Sequence, residues 1–188
     1  MKRVNVNYEN IKKNSKNLKK TAEDLVVKKY EHAKDNFFHE FENHPVTKEI
    51  EDGPTATNDS NTLNGVGNLF SFIGFLNSDR PIEDLMDLLD KSFSIKKQTK
   101  KADIRYTIDY PSLDKIKGST PMPWESGNSW VIGIERGISG FSNYLYKKYV
   151  QGRSKEAVQS DSKVRTGGFK KTRYLTKIID NFIKNTTK

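Results

Sequence analysis

The sequence PMPWESGNSWVIGIERGISGFSNYLY, residues 121–146, decides how the rest of the chain is interpreted. It contains both tryptophans, several glycines and β-branched residues, two carboxylates and no histidine or cysteine, in a chain that is 30% charged. Aromatic and β-branched residues favour a packed sheet, and glycine permits tight backbone geometry. We therefore predict that this stretch serves packing and assembly and carries no catalytic chemistry.

Within this stretch, the pattern predicts a turn at 121–127, a strand at 129–135 and a second strand after Gly140 that returns beside the first. We expect another subunit to complete the outer face of this strand pair. The predicted subunit-contact residues are Trp124, Trp130, Glu135, Arg136, Phe141 and Tyr144.

Upstream of this stretch, apolar residues recur at three- and four-residue steps from Glu9 to Glu42, which predicts one long helix that ends before Pro45. Residues 46–68 are polar and rich in glycine, proline and asparagine, and they predict a long surface loop. The sequence NLFSFIGFL, residues 68–76, predicts a strand with two apolar faces.

Between residues 79 and 116, the sequence predicts a helix followed by a strand. Asp79 is the expected N-cap of the helix, and Pro81 lies in its first turn. The run KKQTKK at 96–101 predicts an exposed turn, and the alternation from Ile104 to Tyr110 predicts a half-buried strand. Residues 113–116 predict a short turn or further strand pairing.

Towards the C-terminus, we expect a polar loop at 151–162, an extended segment at 163–172 and a last helix capped by Thr172. The whole pattern predicts an α+β fold: a long N-terminal helix, a small, mostly antiparallel sheet of three or four strands, a short middle helix and a C-terminal helix. We expect residues 1–43 to form a helical arm and residues 44–188 to form one domain.

Composition limits the class of protein. The chain has 188 residues, of which only 34% are hydrophobic, so we expect a small core or one completed by partners. It has no cysteine, which excludes disulfides and thiolate metal sites. No apolar run follows the N-terminal charges and no segment has the composition of a membrane span, so we expect neither a signal peptide nor a membrane anchor.

The net charge of +9 is distributed in blocks. Residues 1–34 carry +6, 35–60 carry −6, 61–90 carry −4, 91–117 carry +5 and 118–188 carry +8. An even basic coat would suit nucleic acid, whereas alternating blocks suit copies of one chain that meet positive on negative. We favour self-assembly because the acidic blocks would repel a phosphate backbone.

Motifs for catalysis are weak. His39 and His44 are five residues apart, although a helical zinc motif needs a spacing of four. Neither the Gly65–Gly67 pair nor the Gly167–Gly168 pair completes a nucleotide-binding fingerprint. We expect no enzyme activity, no cofactor and no metal.

Nucleic-acid binding is a stronger alternative, because cations and aromatic residues are interleaved near the C-terminus. Phe169 and Tyr174 lie among these cations. The predicted basic surface, which would face DNA or a partner, consists of Lys163, Arg165, Lys170, Lys171 and Arg173.

Three segments of the chain, residues 44–75, 120–146 and 162–175, resemble the small neck or tail-completion proteins of tailed bacteriophages, especially those with contractile tails. This resemblance implies a non-enzymatic virion protein at the head–tail junction, assembled in the host cytoplasm as a ring of six or twelve copies. Its partners would be portal, tube or other neck proteins, with contact to packaged DNA through the basic surface and no membrane.

Two other functions stay open. A stand-alone basic nucleic-acid-binding protein would bind DNA tightly with a steep salt dependence. A tail or baseplate component would share most features with a neck protein. A metal-dependent nuclease that uses Glu125 or Glu135 is the least favoured alternative.

Overall fold

The computed structural model describes residues 2–7, 16–63, 67–100, 103–123, 125–136 and 171–187. Over these residues the chain is α+β, with a long N-terminal helix, small antiparallel sheets and a C-terminal helix, which confirms the predicted class. The elements in chain order are β1 (Lys2–Asn7), α1 (Lys16–Glu42), α2 (Pro45–Glu51), a 3₁₀ turn (Gly53–Thr55), α3 (Leu69–Ile73), α4 (Pro81–Asp90), β2 (Ser94–Lys100), β3 (Asp103–Tyr110), α5 (Leu113–Ser119), β4 (Pro121–Met122), β5 (Glu125–Ser129), α6 (Trp130–Arg136) and α7 (Leu175–Thr187).

The strands form two sheets, and not the single sheet that the sequence predicts. In the first, β3 lies in the centre and pairs antiparallel with β1 and with β2. In the second, β4 pairs with β5. Residues 96–100 of the predicted exposed turn instead supply most of β2, because Ser94–Lys100 pair with β3, and residue 101 lies outside the described residues.

Helix α1 is described from Lys16 to Glu42, in agreement with the predicted end, and the predicted first part at 9–15 lies outside the described residues. Strand β1 precedes it, and the sequence analysis did not predict that strand. Pro45 then starts α2 instead of opening a loop, because proline fits the first turn of a helix. The predicted loop at 46–68 therefore begins with a helix whose Val46, Thr47, Glu49 and Ile50 are buried.

Residues 68–76 were predicted as a strand, but residues 69–73 form α3. The Asn68 side chain accepts a hydrogen bond from the backbone N–H of Ser71, which caps the helix. Gly74 ends it with φ of 91°, in the left-handed region that favours glycine. These end signals outweigh the β propensity of the apolar run between them.

Residues 129–135 were also predicted as a strand, but residues 130–136 form α6. The Ser129 hydroxyl accepts a hydrogen bond from the N–H of Ile132 at 3.3 Å, as a helix cap does. Two further helix signals differ from the prediction. Arg80, and not Asp79, is the N-cap of α4, and residues 113–116 begin α5, which is capped by Ser112.

One core joins the elements. Tyr30 and Phe37 of α1 pack edge to face against Phe182 of α7, with the Phe37 and Phe182 ring centroids 6.2 Å apart. Phe41 of α1 belongs to the same core. The second half of α1 is thus part of this core, whereas Leu25 in its first half is 62% exposed. From Val26 onwards α1 contributes buried side chains, whereas Lys20, Thr21, Asp24 and Leu25 are exposed.

Candidate subunit contact and basic surface

Trp130, a predicted contact residue, lies inside the chain at 2% exposure. Its ring meets Phe75 edge to face, with the centroids 5.8 Å apart. Its backbone N–H donates to the carbonyl of Thr120, and the Thr120 and Ser129 hydroxyls are 2.6 Å apart. These bonds join the end of α5 to the start of α6 on either side of strands β4 and β5, so Trp130 is used for packing within the subunit.

Glu135, a second predicted contact residue, binds the start of α7. One carboxylate oxygen, Oε1, accepts from the backbone N–H groups of Tyr174 at 3.1 Å and Thr176 at 2.8 Å. The other, Oε2, accepts from the Thr176 hydroxyl at 2.6 Å. A carboxylate at a helix N-terminus satisfies free N–H groups and complements the helix dipole. Glu135 therefore caps α7 from another helix, a role that the sequence analysis gave to Thr172.

Tyr174 is completely buried beside this cap. Its hydroxyl lies 2.6 Å from the Thr47 hydroxyl, and its ring stacks on Phe41 with an interplanar angle of 20°. Burial raises the pKa of Tyr174 well above its usual value, and the hydrogen bond with Thr47 opposes that rise. The side chain stays neutral and ties α7 to α2, so it is not available for base stacking on a nucleic acid.

His44 lies 4.7 Å from the Tyr174 ring, at the corner between α1 and α2. Its Nδ1 accepts from the N–H of Val46 at 3.2 Å and so caps α2. Burial lowers the pKa of His44, and the positive charge of Lys177 lowers it further, whereas Glu40 acts in the opposite direction. This histidine has a structural role as a neutral hydrogen-bond acceptor.

The remaining predicted site residues divide into two groups. Arg136, Lys171 and Arg173 are exposed, and Arg173 forms an ion pair with Asp180 at 2.7 Å. The others lie outside the described residues: Trp124, Phe141, Tyr144, Lys163, Arg165 and Lys170. Of the described members, Trp130 and Glu135 are engaged inside the chain, whereas Arg136, Lys171 and Arg173 stay at the surface where α6 meets the start of α7.

Searches of family models, curated proteins and solved structures found no match to this chain.

Two acidic residues with clear structural roles were missed by sequence reasoning. Glu49 is completely buried and accepts backbone N–H bonds from Ser60 at 3.0 Å and Leu69 at 2.8 Å. It therefore holds both sides of the segment that precedes α3. Glu49 lies in a polar stretch with no apolar periodicity, so the sequence carries no signal that it is buried.

Asp109 is the other, and it is also completely buried. It accepts from the Ser94 hydroxyl at 3.0 Å and from the Lys96 ammonium at 2.9 Å, both on β2. The strand alternation predicts that Asp109 faces away from the apolar side of β3. Because the alternation indicates only one buried face, it does not predict that the face carrying Asp109 is buried as well.

No group of three or more histidine, cysteine, aspartate or glutamate side chains suited to a metal ion occurs within the described ranges. Of the candidate pair His39 and His44, His39 is exposed on α1, and the Nδ1 of His44 accepts from the N–H of Val46. In the same part of the chain, no helix is both long and apolar enough to cross a membrane.

Proposed function

We propose that this chain is a non-enzymatic structural protein that acts through self-association and contacts with other proteins. The observation that carries this proposal is a contrast between its interior and its surface. Inside the fold, the carboxylates of Glu49, Asp109 and Glu135 are committed to hydrogen bonds that join segments of the chain. On the surface, α1 presents Leu25 at 62% exposure among exposed charged side chains.

The position that we propose for it is the head–tail junction of a tailed bacteriophage, as a neck or tail-completion ring. This part of the proposal depends on the resemblance of residues 44–75, 120–146 and 162–175 to such proteins. The low hydrophobic content of 34% suits a subunit whose contacts are completed by neighbours. In this proposal the basic C-terminal residues face DNA or a partner without reading base sequence.

The test is electron microscopy of the purified chain in negative stain, alone and mixed with neck and portal proteins of a contractile-tailed phage. We expect rings of six or twelve copies. A monodisperse monomer at high concentration that forms no ring in either sample would contradict the proposal.

A second candidate is a stand-alone nucleic-acid-binding protein, favoured by the net charge of +9 and by Lys171, which is exposed just before α7. Two observations weaken it: Arg173 is paired with Asp180, and Tyr174 is buried. DNA binding by the isolated chain distinguishes the two functions, because only this candidate requires tight binding at about 0.15 M salt with a steep salt dependence.

A further inference from the structure

The charge order along α1 opposes its own helix dipole. Residues 16–29 carry five lysines and two acids, and residues 30–42 carry one lysine and four acids. The first turn contains no acidic residue, and His39 provides the basic residue of the last turn. Helix dipoles favour acids near the N-terminus and bases near the C-terminus. The stability of the isolated helix therefore does not explain this order.

An exposed stripe runs along α1 on the side opposite its buried residues. It combines alternating charges with one large apolar side chain, at three- and four-residue steps along the helix. In its first half the stripe consists of Lys20, Asp24, Leu25, Lys28 and Glu31.

None of the four charged side chains in this half forms an ion pair in the described part of the chain. By contrast, Glu23 and Lys34 point towards the core side and pair with Lys97 and Asp90. Among the described residues, the charges of the stripe therefore have no ion-pair partner.

We propose that this stripe binds the same stripe of a second copy, with the two α1 helices antiparallel about a two-fold axis at Leu25 and Val26. In that register Lys20 of one copy lies opposite Glu31 of the other, and Asp24 lies within one residue of Lys28. Each pair occurs twice because a two-fold contact is self-complementary. The two Leu25 side chains meet at the axis and bury each other.

This inference rests on the proposed assembly function and names its partner as a second copy of the chain. The contact closes a pair, so a ring would need a further, different contact. About three helical turns from each copy meet, which gives an interface at the small end of specific interfaces. We expect weak association that is stronger at low salt, because the paired charges are exposed.

The test is sedimentation of the full chain over a range of concentrations at low and high salt. Lys20→Glu and Glu31→Lys should each weaken dimerisation by about tenfold, since each removes two symmetric pairs. The double variant, Lys20→Glu with Glu31→Lys, restores both pairs with reversed sign and should return dimerisation to the wild-type level. Within one helix each change creates a like-charge neighbour, so an intramolecular effect cannot produce that recovery.

Leu25→Asp should abolish the dimer, whereas Leu76→Asp should not, although Leu76 is similarly exposed at 68%. A wild-type monomer at all concentrations, failure of the double variant to recover, or equal loss with Leu76→Asp would each overturn the inference. Binding of DNA that displaces the dimer and requires Lys20 and Lys28 would also overturn it, in favour of nucleic acid as the occupant.

The same samples separate this inference from the proposed function. Rings that form with neck partners, together with a dimer that persists in the Leu25→Asp variant, would overturn the α1 contact and support the proposed assembly. A dimer that passes the charge-reversal test but gives no ring with neck partners would support the α1 contact and contradict the position at the head–tail junction.

Discussion

At the residue scale, acidic side chains act as links between distant segments. Glu135 joins α6 to α7, Glu49 joins α2 to the start of α3, and Asp109 joins β3 to β2. Hydrogen bonds to a charged acceptor contribute more than neutral ones, and the donors they satisfy are costly to leave unpaired. We therefore expect these carboxylates to matter for stability and not for catalysis.

Replacing Glu135 with alanine should lower the free energy of unfolding by about 2 kcal/mol, because three donors at the start of α7 lose their acceptor. Glu135→Gln keeps one carbonyl oxygen and should cost about half as much. Chemical denaturation measures both. Glu83→Ala, an exposed change on α4, is the matched control and should stay within about 0.5 kcal/mol of wild type. An equal effect of Glu83→Ala and Glu135→Ala would refute the capping role.

The buried Tyr174–Thr47 pair offers a double-mutant cycle. Tyr174→Phe and Thr47→Val should each destabilise the fold by about 1–2 kcal/mol, because each leaves a buried hydroxyl without its partner. The double variant should cost clearly less than the sum of the two, since no unpaired hydroxyl remains. Strict additivity of the two changes in urea titrations would show that the hydroxyls do not interact.

Stability should depend on pH through His44. Burial holds its folded-state pKa below the unfolded value, so the unfolded chain binds the proton first as pH falls. The neutral form stabilises the fold fully above the unfolded pKa of about 6.5, and this contribution is lost as pH falls from there towards the folded pKa. Protonation of Nδ1 also removes the acceptor for Val46.

His44→Asn keeps a capping acceptor but does not titrate in this range. We expect the difference in unfolding free energy between wild type and this variant to fall as pH decreases from about 7 to 5. The measurement is denaturant unfolding of both proteins at a series of pH values. A difference that is constant with pH would rule out His44 as the titrating group.

At the element scale, the sequence-based predictions fail in two short segments whose capping residues favour a helix over the predicted strand. Residues 69–73 and 130–136 are rich in β-branched or aromatic residues, yet both segments are helices with side-chain caps at Asn68 and Ser129. Propensity is a weak guide where burial and capping act together. The caps are visible in the sequence, but asparagine and serine are also common in turns, so the sequence does not decide between the two structures.

Other elements were predictable because their pattern is long or regular. Helix α1 shows repeated apolar spacing up to Glu42, and β3 shows strict alternation from Ile104 to Tyr110. Strand β2 was missed because its lysine-rich sequence has no apolar alternation, and its strand structure comes from pairing with β3. In the candidate site, Trp130 packs against Phe75 and Glu135 caps α7, and both partners are distant in sequence, so local patterns could not reveal these roles.

Gly74, which ends α3, offers a direct test of how much a helix-end residue contributes to the stability of the fold. Gly74→Ala should destabilise the fold by about 1 kcal/mol, because alanine is strained at a φ of 91°. Gly118→Ala is the matched control: Gly118 lies within α5, and a Cβ there would meet nothing within 4 Å. Alanine at 118 should be neutral or stabilising, because it favours helix. Thermal melts compare the two variants, and a larger loss at 118 than at 74 would refute the argument.

At the scale of the whole molecule, the first and last helices share one core. Phe182 of α7 contacts Phe37 of α1, Phe93 before β2 and Tyr110 at the end of β3. Deleting residues 175–187 should therefore abolish the cooperative thermal transition of the entire chain and not only remove a helix. Circular dichroism measures this, and a truncated chain that retains a sharp transition near the wild-type temperature would show that α7 is peripheral.

The cap at Glu135 has a consequence for how α6 and α7 respond to change. The carbonyl oxygen of Ile134 accepts a hydrogen bond from the backbone N–H of Thr172 at 3.4 Å, beside the bonds that Glu135 accepts from Tyr174 and Thr176. Main-chain and side-chain bonds thus join the end of α6 to the start of α7 at one place. A disturbance of either helix is therefore transmitted to the other, although the two are far apart in sequence.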